Sequence, residues 1–204
     1  MPIYNRIADF HEDLVATRRD IHAHPELGFE EHRTSDLVAQ QLESWGIEVH
    51  RNIATTGVVG VLKGSGNSKR SIGLRADMDA LPMDEEGNPE HRSKNAGKMH
   101  ACGHDGHTTM LLGAARYLAE TRNFDGTVHF IFQPAEEGGG GGRVMVEEGL
   151  FDKFECDTVW GMHNSPNLPA GTLAIRPGPL MAAVDMAKIT INGHGCHAAQ
   201  PYMG

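Results

Sequence analysis

The sequence predicts an α/β protein in which helices cover both faces of a largely parallel, mixed sheet. Three observations lead to this fold class. Short segments rich in apolar and β-branched residues alternate with segments in which apolar residues recur every three or four positions. Glycine and proline residues separate these segments, as they do where strands and helices end. The apolar content of 39% is high enough for a chain of 204 residues to form a core.

Four segments have the apolar periodicity of amphipathic helices. The predicted helices cover about 5–22, 34–45, 106–121 and 143–150. The first ends before Pro25, because a residue that precedes proline avoids helical backbone angles. Gly46 follows the second, which is typical of a helix C-terminus.

Six segments are predicted strands, because apolar residues alternate or cluster in them over short lengths. They are residues 47–51, 57–62, 71–76, 127–132, 158–162 and 183–191. The glycine-rich residues 64–67 follow the second strand and predict a hairpin turn to the third. Residues 81–99 have no apolar periodicity and predict a long loop, and loops of that length are usually functional.

The composition excludes several classes of protein. Because 27 Asp and Glu outnumber 18 Lys and Arg, no basic surface for nucleic acid is expected. No segment approaches about 18 uninterrupted apolar residues, so we expect no membrane-spanning helix. The charged start of the chain lacks the apolar core of a signal peptide. Three cysteines are too few for a secreted disulfide scaffold, so the sequence favours a cytoplasmic protein.

The densest group of candidate metal ligands lies between His100 and His107. It holds one thiol, three imidazoles and a carboxylate, a set that suits zinc and related ions. Cys102 and His104 are two positions apart, so in an extended segment they would point to the same side. Asp105 falls at the start of a predicted helix, where a carboxylate interacts well with the helix dipole. The alternative is a buried cysteine among surface histidines.

A second candidate site follows the predicted strand 127–132. Glu136 and Glu137 precede five consecutive glycines there, at the end of a strand where α/β sheets bind ligands. Adjacent side chains of extended backbone point in opposite directions, so we expect one glutamate to bind metal and the other to act as a base. The glycines allow close approach of the backbone to a substrate. The alternatives are a solvated turn and a flexible linker.

Two further predicted strands end in polar residues. His163 follows strand 158–162, although a lone histidine in such a position is more often structural. Asp77 and Asp79 follow strand 71–76, where a carboxylate could orient a metal-bound histidine. Because all these groups follow strands of one predicted sheet, we expect them to converge on one metal site.

Together these motifs closely resemble the hippurate hydrolase and N-acyl-amino-acid amidohydrolase family. That family belongs to the aminoacylase/carboxypeptidase group of two-metal peptidases. The resemblance covers almost the whole chain and is carried by residues 24–28, 74–82, 100–107, 133–141, 161–164 and 193–201. Family members are longer, and the chain ends soon after the last of these motifs. We therefore expect it to be an N-terminal fragment.

The resemblance implies a catalytic domain that is interrupted by a smaller α+β lid domain, which also mediates dimerisation. The chain changes character after Met181, so residues 1–181 are expected to be the N-terminal part of the catalytic domain. Residues 182–204 would be the start of the truncated lid domain. The full-length form is expected to be a homodimer that acts on small N-acyl amino acids, with no nucleic-acid or membrane partner.

The resemblance also implies the roles of individual side chains. The residues that match metal ligands are Cys102, His104, Glu137 and His163. Glu136 matches the general base. A further histidine ligand is expected in the part of the family sequence that this chain does not contain. The implied cofactor is a divalent metal, with two ions per site, and zinc, manganese, nickel and cobalt all suit these ligands.

Other side chains are expected to act around these ligands. Three should orient the ligands without binding metal themselves: Asp77, Asp105 and His107. His197 matches a lid histidine that reaches a neighbouring subunit's active site and polarises the substrate carbonyl. Here the sequence departs from the family pattern, since Cys196 stands where glycine is expected and Tyr202 where histidine is expected.

The reaction that the resemblance implies is hydrolysis of the amide between an acyl group and an amino acid, with Glu136 as the base. One alternative is a thiol hydrolase with Cys102 as the nucleophile and His104 or His107 as the base. That mechanism leaves Glu136, Glu137 and His163 without a task. The other alternative is a truncated fragment that binds metal without turnover.

Overall fold

The computed structural model describes residues 5–204, which form two compact units divided between Asn167 and Leu168. In the second unit, a short 3₁₀ helix covers Pro201–Met203. The predicted division after residue 181 concerns the domains of a longer protein and stays a prediction. None of the helices in residues 5–204 combines the length and apolar character needed to cross a membrane.

The first unit contains a five-stranded sheet and the helices that pack on it. Its elements, in chain order, are α1 (Asn5–Asp9), α2 (His11–Ala23), α3 (His32–Ser44), β1 (Glu48–Ile53), β2 (Gly57–Lys63), β3 (Ser71–Asp77), α4 (His104–Thr121), β4 (Thr127–Gln133), α5 (Gly141–Glu147), α6 (Leu150–Lys153) and β5 (Thr158–Gly161). This alternation of helices and strands confirms the predicted α/β class.

The strands are arranged in the order β1-β2-β4-β3-β5. β3 is parallel to both β4 and β5, whereas the β1–β2 and β2–β4 pairs are antiparallel. The sheet is therefore mixed as predicted, with parallel pairing confined to three strands. Asp77 lies opposite Gln133, and Arg75 lies opposite Gly161. The carboxyl ends of β3, β4 and β5 consequently meet at one edge of the sheet.

Apolar layers cover both faces of the sheet, which confirms the predicted placement of the helices. The layer beneath α3 and α4 includes Val38, Leu42, Leu112, Phe130 and Phe132. The opposite layer, beneath α5 and α6, includes Val59, Ile131, Met145, Leu150 and Phe154. The two layers alternate along β4 because successive side chains of a strand point to opposite faces.

The predicted hairpin at residues 64–67 is wrong. β2 and β3 are not neighbours, because β4 lies between them and pairs with both. The Gly64 N–H donates to the carbonyl oxygen of Gly126 at 2.9 Å, so this turn leads toward the start of β4. A local turn signal does not specify the partner of a strand, and the apolar β4 fits the central position.

The predicted strand at residues 183–191 is also wrong, because the structure has no strand there. Its apolar and polar residues alternate as in a strand. A strand, however, needs a neighbour to pair its backbone N–H and C=O groups. Nothing in residues 168–204 supplies such a neighbour strand.

Several element boundaries differ from the prediction. The first predicted helix is interrupted at Phe10, and the last is divided by Gly149, whose φ is +87°. α4 begins at His104 rather than near Gly106. The predicted loop at residues 81–99 is closed at its base, where the Leu81 N–H donates to the Met99 carbonyl oxygen at 2.9 Å.

Candidate metal centre

Side chains with metal-binding groups come from four segments that meet at the carboxyl edge of the parallel strands. Asp77 ends β3, residues 136–137 follow β4, and His163 follows β5. The fourth segment is the loop that enters α4, with Cys102 and His104. The order of strands in the sheet therefore brings together groups that lie far apart in the sequence.

A left-handed glycine shapes the start of α4. Gly103 has a φ of +97°, and a Cβ at this position would lie within 2.4 Å of the Asn164 side chain. Cys102 and His104 are therefore placed on either side of a sharp turn. The extended geometry that the sequence analysis assumed for this pair is wrong, although the turn still brings the two side chains close together.

Three sets of side chains each place one ligand atom per residue within 4.8 Å of the others. The sets are Cys102, His104 and His163; His104, Glu136 and Glu137; and Asp77, His104 and His107. His104 belongs to all three, so its imidazole is at the centre of the candidate site.

The contacts of His104 fit a metal ligand. Its ring is buried, and Nδ1 donates to Asp79 Oδ1 at 3.2 Å. Its Nε2 has no hydrogen-bond partner in residues 5–204, with Asp77 Oδ2 at 3.6 Å and Glu137 Oε1 at 3.7 Å. Buried ring nitrogens are normally satisfied. A carboxylate on one nitrogen with the other left open is the usual arrangement of a metal-bound histidine.

His163 also presents one open nitrogen. Its Nδ1 donates to its neighbour, the Asn164 carbonyl oxygen, at 2.7 Å, which leaves Nε2 with a lone pair. That Nε2 lies 3.3 Å from Cys102 Sγ. The imidazole and the thiol are thus close enough to bind the same ion.

The environment of Cys102 favours a thiol over a thiolate. Partial burial, together with the negative charge of the neighbouring Glu137 carboxylate, raises the pKa of the Cys102 thiol to about 12. Reactive cysteines have the opposite environment, with positive charge nearby and a lowered pKa. A divalent cation among these side chains would reverse the effect and stabilise the thiolate.

His107 contacts two groups beside the site. Its Nδ1 lies 2.6 Å from Asp77 Oδ1, and its Nε2 lies 3.0 Å from the Asn164 backbone nitrogen. Burial alone would raise the pKa of Asp77. The hydrogen bond from His107 and the charge of Arg75 outweigh burial and lower this pKa to about 2. With both nitrogens engaged, His107 is suited to holding Asn164, the neighbour of His163, rather than to binding metal.

Asp105 faces away from these ligand sets. Its fully buried carboxylate forms an ion pair with Arg18 Nε at 2.8 Å and accepts a hydrogen bond from His22 Nδ1 at 2.8 Å. The second nitrogen of His22 lies 3.2 Å from Glu85 Oε1, in the loop at residues 81–99. Asp105 and His22 therefore connect the start of α4 to α2 and to that loop.

This connection predicts a pH dependence of stability. The hydrogen bond from His22 to Asp105 raises the pKa of His22, although burial opposes it. A raised folded-state pKa gives stability that is complete below the unfolded pKa of about 6.5 and is lost as the pH rises through the folded value. We expect the loss of unfolding free energy between about pH 6 and about pH 9, measured with urea, to be smaller in His22→Gln than in the unsubstituted protein.

The matched control is His11→Gln, since His11 is exposed on the same helix. It should show the same pH dependence as the unsubstituted protein. An equal pH dependence in His22→Gln and the unsubstituted protein would contradict the role of His22.

The two glutamates occupy a turn. Residues 136–139 form this turn directly after Ala135, whose φ is +49°. The expectation that extended backbone sends Glu136 and Glu137 in opposite directions is therefore wrong. Both carboxylates are close to His104, and the division of their roles stays a prediction from the resemblance.

His197 lies in the second unit, where its Nδ1 accepts the Ala199 N–H at 3.2 Å. Its predicted catalytic role stays a prediction.

Sequence reasoning missed two residues beside the site. Asn164 was seen only as part of a motif, although its position next to His163 could have drawn attention to it. Glu31 is a buried carboxylate that contacts the backbone before Glu136. No sequence signal indicates that contact, because it joins residues that are far apart in the chain.

Comparisons with known proteins identify the family to which the chain belongs. The profile of peptidase family M20/M25/M40 matches residues 73–203. The hippurate hydrolase of Campylobacter jejuni is 50% identical over 201 residues, which cover 98% of this chain and 52% of that protein. An IAA-amino acid hydrolase of Arabidopsis thaliana is 48% identical over 194 residues, with 95% and 43% covered. The chain spans about half the length of the curated relatives it matches.

A solved structure resembles the chain as well. The crystal structure of a dinuclear metal-binding peptidase of the M20 family from Bacillus subtilis has a TM-score of 0.80 at 43% identity. The match covers 85% of this chain and 48% of that one. By the profile over residues 73–203 and by its identity to these relatives, the chain belongs to peptidase family M20/M25/M40.

Proposed function

We propose that this chain supplies the metal-binding part of an amidohydrolase that cleaves the amide bond of N-acyl amino acids such as hippurate. The observation that carries the proposal is the convergence of a thiol, imidazoles and carboxylates around the open Nε2 of His104. The substrate class is supported by the names of two relatives, a hippurate hydrolase and an IAA-amino acid hydrolase.

Four side chains would hold the metal: Cys102, His104, Glu137 and His163. This set of one thiolate, two imidazoles and one carboxylate suits zinc, and also manganese, nickel or cobalt. When bound, a divalent metal pair supplies Lewis acidity, which makes water acidic enough to act as a nucleophile near neutral pH and stabilises the oxyanion.

Glu136 is proposed to be the general base. Its carboxylate lies within 4.8 Å of ligand atoms of His104 and Glu137, so it is close to where a nucleophilic water would be held. It takes a proton from that water as the new bond to the carbonyl carbon forms. It then gives the proton to the amine nitrogen as the carbon–nitrogen bond breaks.

Three carboxylate or imidazole groups are proposed to orient the ligands. Asp79 accepts a hydrogen bond from His104 Nδ1, and Asp77 and His107 hold Asn164 beside His163. Such outer partners fix the orientation and protonation state of metal-bound side chains. Asp105 supports the same ligands indirectly, because it anchors the beginning of α4.

Two features of the surroundings of Cys102 disfavour the thiol hydrolase alternative. The imidazole at hydrogen-bond distance from Cys102 Sγ is that of His163, which this mechanism does not use as its base. The raised pKa of the thiol also leaves little thiolate at neutral pH. The metal-binding fragment without turnover stays an alternative for a chain that spans about half of each relative. A full-length form is proposed to be an active homodimer.

Chelation separates the metal and thiol mechanisms. We expect prolonged dialysis against EDTA to abolish hydrolysis of hippurate by a full-length enzyme that carries this chain, and added zinc or manganese to restore it. A thiol-directed alkylating reagent applied to the metal-loaded enzyme is the counterpart treatment and should have little effect. Full activity after verified removal of the metal would contradict the proposal.

A further inference from the structure

Glu31 is a buried carboxylate with no role in the mechanism above. It lies directly before α3, and its side chain is 0% exposed. Its Oε1 accepts the N–H of Ala135 at 2.8 Å, and its Oε2 accepts the Thr56 hydroxyl hydrogen at 2.6 Å. Burial raises the pKa of Glu31. Burying a carboxylate costs free energy unless it is hydrogen-bonded. The two contacts offset that cost, but they do not explain why a carboxylate is buried at this position.

The contact falls on a backbone position that is unfavourable for alanine. Ala135 has a φ of +49°, in the left-handed region that residues with a Cβ rarely adopt. Two glycines pack against it: a Cβ at Gly28 would lie 2.9 Å from Ala135 Cβ, and one at Gly139 would lie 2.6 Å away. The hydrogen bond from Ala135 to Glu31 and this packing together hold the residue in its unusual conformation.

The conformation of Ala135 decides where the next two side chains lie. Glu136 and Glu137 follow it in the turn, and the Glu137 N–H donates to Asp79 Oδ2 at 2.9 Å. The other oxygen of Asp79 accepts from His104. The turn is therefore anchored by one carboxylate before the two glutamates and by another at the second glutamate. If Ala135 relaxed, Glu137 Oε1 would no longer be fixed 3.7 Å from His104 Nε2.

We propose that Glu31 is a positioning residue for the metal centre, which fixes the turn at Ala135 so that Glu137 is directed toward His104. This inference rests on the proposed function, in which Glu137 binds the metal. Glu31 does not touch the metal or the substrate itself. It acts through the backbone of the turn.

The chain offers a matched control for this contact. Glu148 Oε2 accepts the N–H of Ala54 at 2.7 Å, and Ala54 also has a φ of +49°. A carboxylate thus holds a left-handed alanine in both places, but only the Glu31 contact adjoins the two glutamates. Replacing Glu148 by alanine removes the same kind of hydrogen bond without disturbing the turn beside His104.

The test measures the affinity of the chain for Zn²⁺ by competition with a chromogenic chelator, well below the melting temperature of each variant. We expect Glu31→Ala to bind zinc about 10–100-fold more weakly, as is typical when a partner of a metal ligand is lost. Glu31→Gln should be close to the unsubstituted chain, because an amide oxygen still accepts from Ala135. Glu148→Ala should bind zinc normally. If Glu31→Ala does not fold, Glu31→Asp, which is too short for both contacts, takes its place.

A double-mutant comparison shows whether Glu31 acts through Glu137. In a Glu137→Gln background, Glu31→Ala should weaken zinc binding only slightly further, since the ligand that it positions is already lost. Fully additive losses would overturn the proposal, as would unchanged zinc affinity in Glu31→Ala or an equal loss in Glu148→Ala.

A metal-free measurement keeps this inference separate from the proposed function. Amide hydrogen exchange at residues 135–138 should be faster in Glu31→Ala than in Glu31→Gln, because the turn is no longer held. If Glu137→Gln binds zinc normally, the ligand assignment fails. In that case the amide hydrogen exchange at residues 135–138 still tests whether Glu31 holds the turn. An unchanged exchange rate in Glu31→Ala would overturn that role.

Discussion

Replacing Glu136 by glutamine is expected to leave the bound metal in place and to lower the turnover number of a full-length enzyme by at least about 10²–10⁴-fold. The amide keeps the size and shape of the side chain but cannot accept the proton of the nucleophilic water. The measurements are metal content by elemental analysis after dialysis and the turnover number on hippurate at saturating substrate.

The neighbouring substitution, Glu137→Gln, is the matched control. A neutral amide is a poorer ligand for a divalent cation than a carboxylate, so this variant should lose metal first and recover part of its activity when metal is added in excess. If Glu136→Gln loses its metal while Glu137→Gln keeps it, the two roles are exchanged. That outcome is a real alternative, because both side chains lie in one turn beside His104.

Replacing Cys102 by alanine is expected to abolish tight metal binding. The variant loses a sulfur ligand that lies beside His163 and Glu137. Loss of a residue that only orients a metal ligand weakens metal binding about 10–100-fold, and loss of the ligand itself should weaken it more. The measurement is the metal content of the purified chain after dialysis. A Zn²⁺ titration of the metal-free variant gives the size of the effect.

The other two cysteines are the controls for this substitution. Cys156 Sγ contacts the Phe154 carbonyl oxygen at 3.3 Å, and Cys196 lies in the second unit. Neither belongs to a group of potential metal ligands in residues 5–204. Cys156→Ala and Cys196→Ala should therefore retain the metal, and equal retention in all three variants would rule out Cys102 as a ligand.

The sequence allowed the ends of three strands to be identified, because local signals are sufficient there. Apolar runs mark β3, β4 and β5, and polar residues such as Asp77, Glu136 and His163 stand where those runs stop. Since carboxyl ends of parallel strands share one edge, the convergence of these residues could be predicted without the structure. The backbone direction at Gly103, before α4, and at Ala135, after β4, could not be predicted, since both residues have a positive φ.

Long-range contacts account for what the sequence did not reveal. The insertion of β4 between β2 and β3 depends on which strands pair, and the turn at residues 64–67 carries no information about that. The hydrogen bond from Ala135 to Glu31 spans 104 residues. In the sequence, nothing distinguishes Glu31 from a surface glutamate, because its burial depends on the fold.

The proposed metal centre requires the Cys102 sulfur to bind the metal ion. X-ray absorption at the zinc edge of the zinc-loaded chain tests this without requiring turnover. We predict a sulfur neighbour of zinc at about 2.3 Å, with nitrogen and oxygen ligands at about 2.0–2.2 Å, and loss of the sulfur in Cys102→Ala. A spectrum with only nitrogen and oxygen neighbours, or one that keeps its sulfur in Cys102→Ala, would contradict the assignment of Cys102 as a metal ligand.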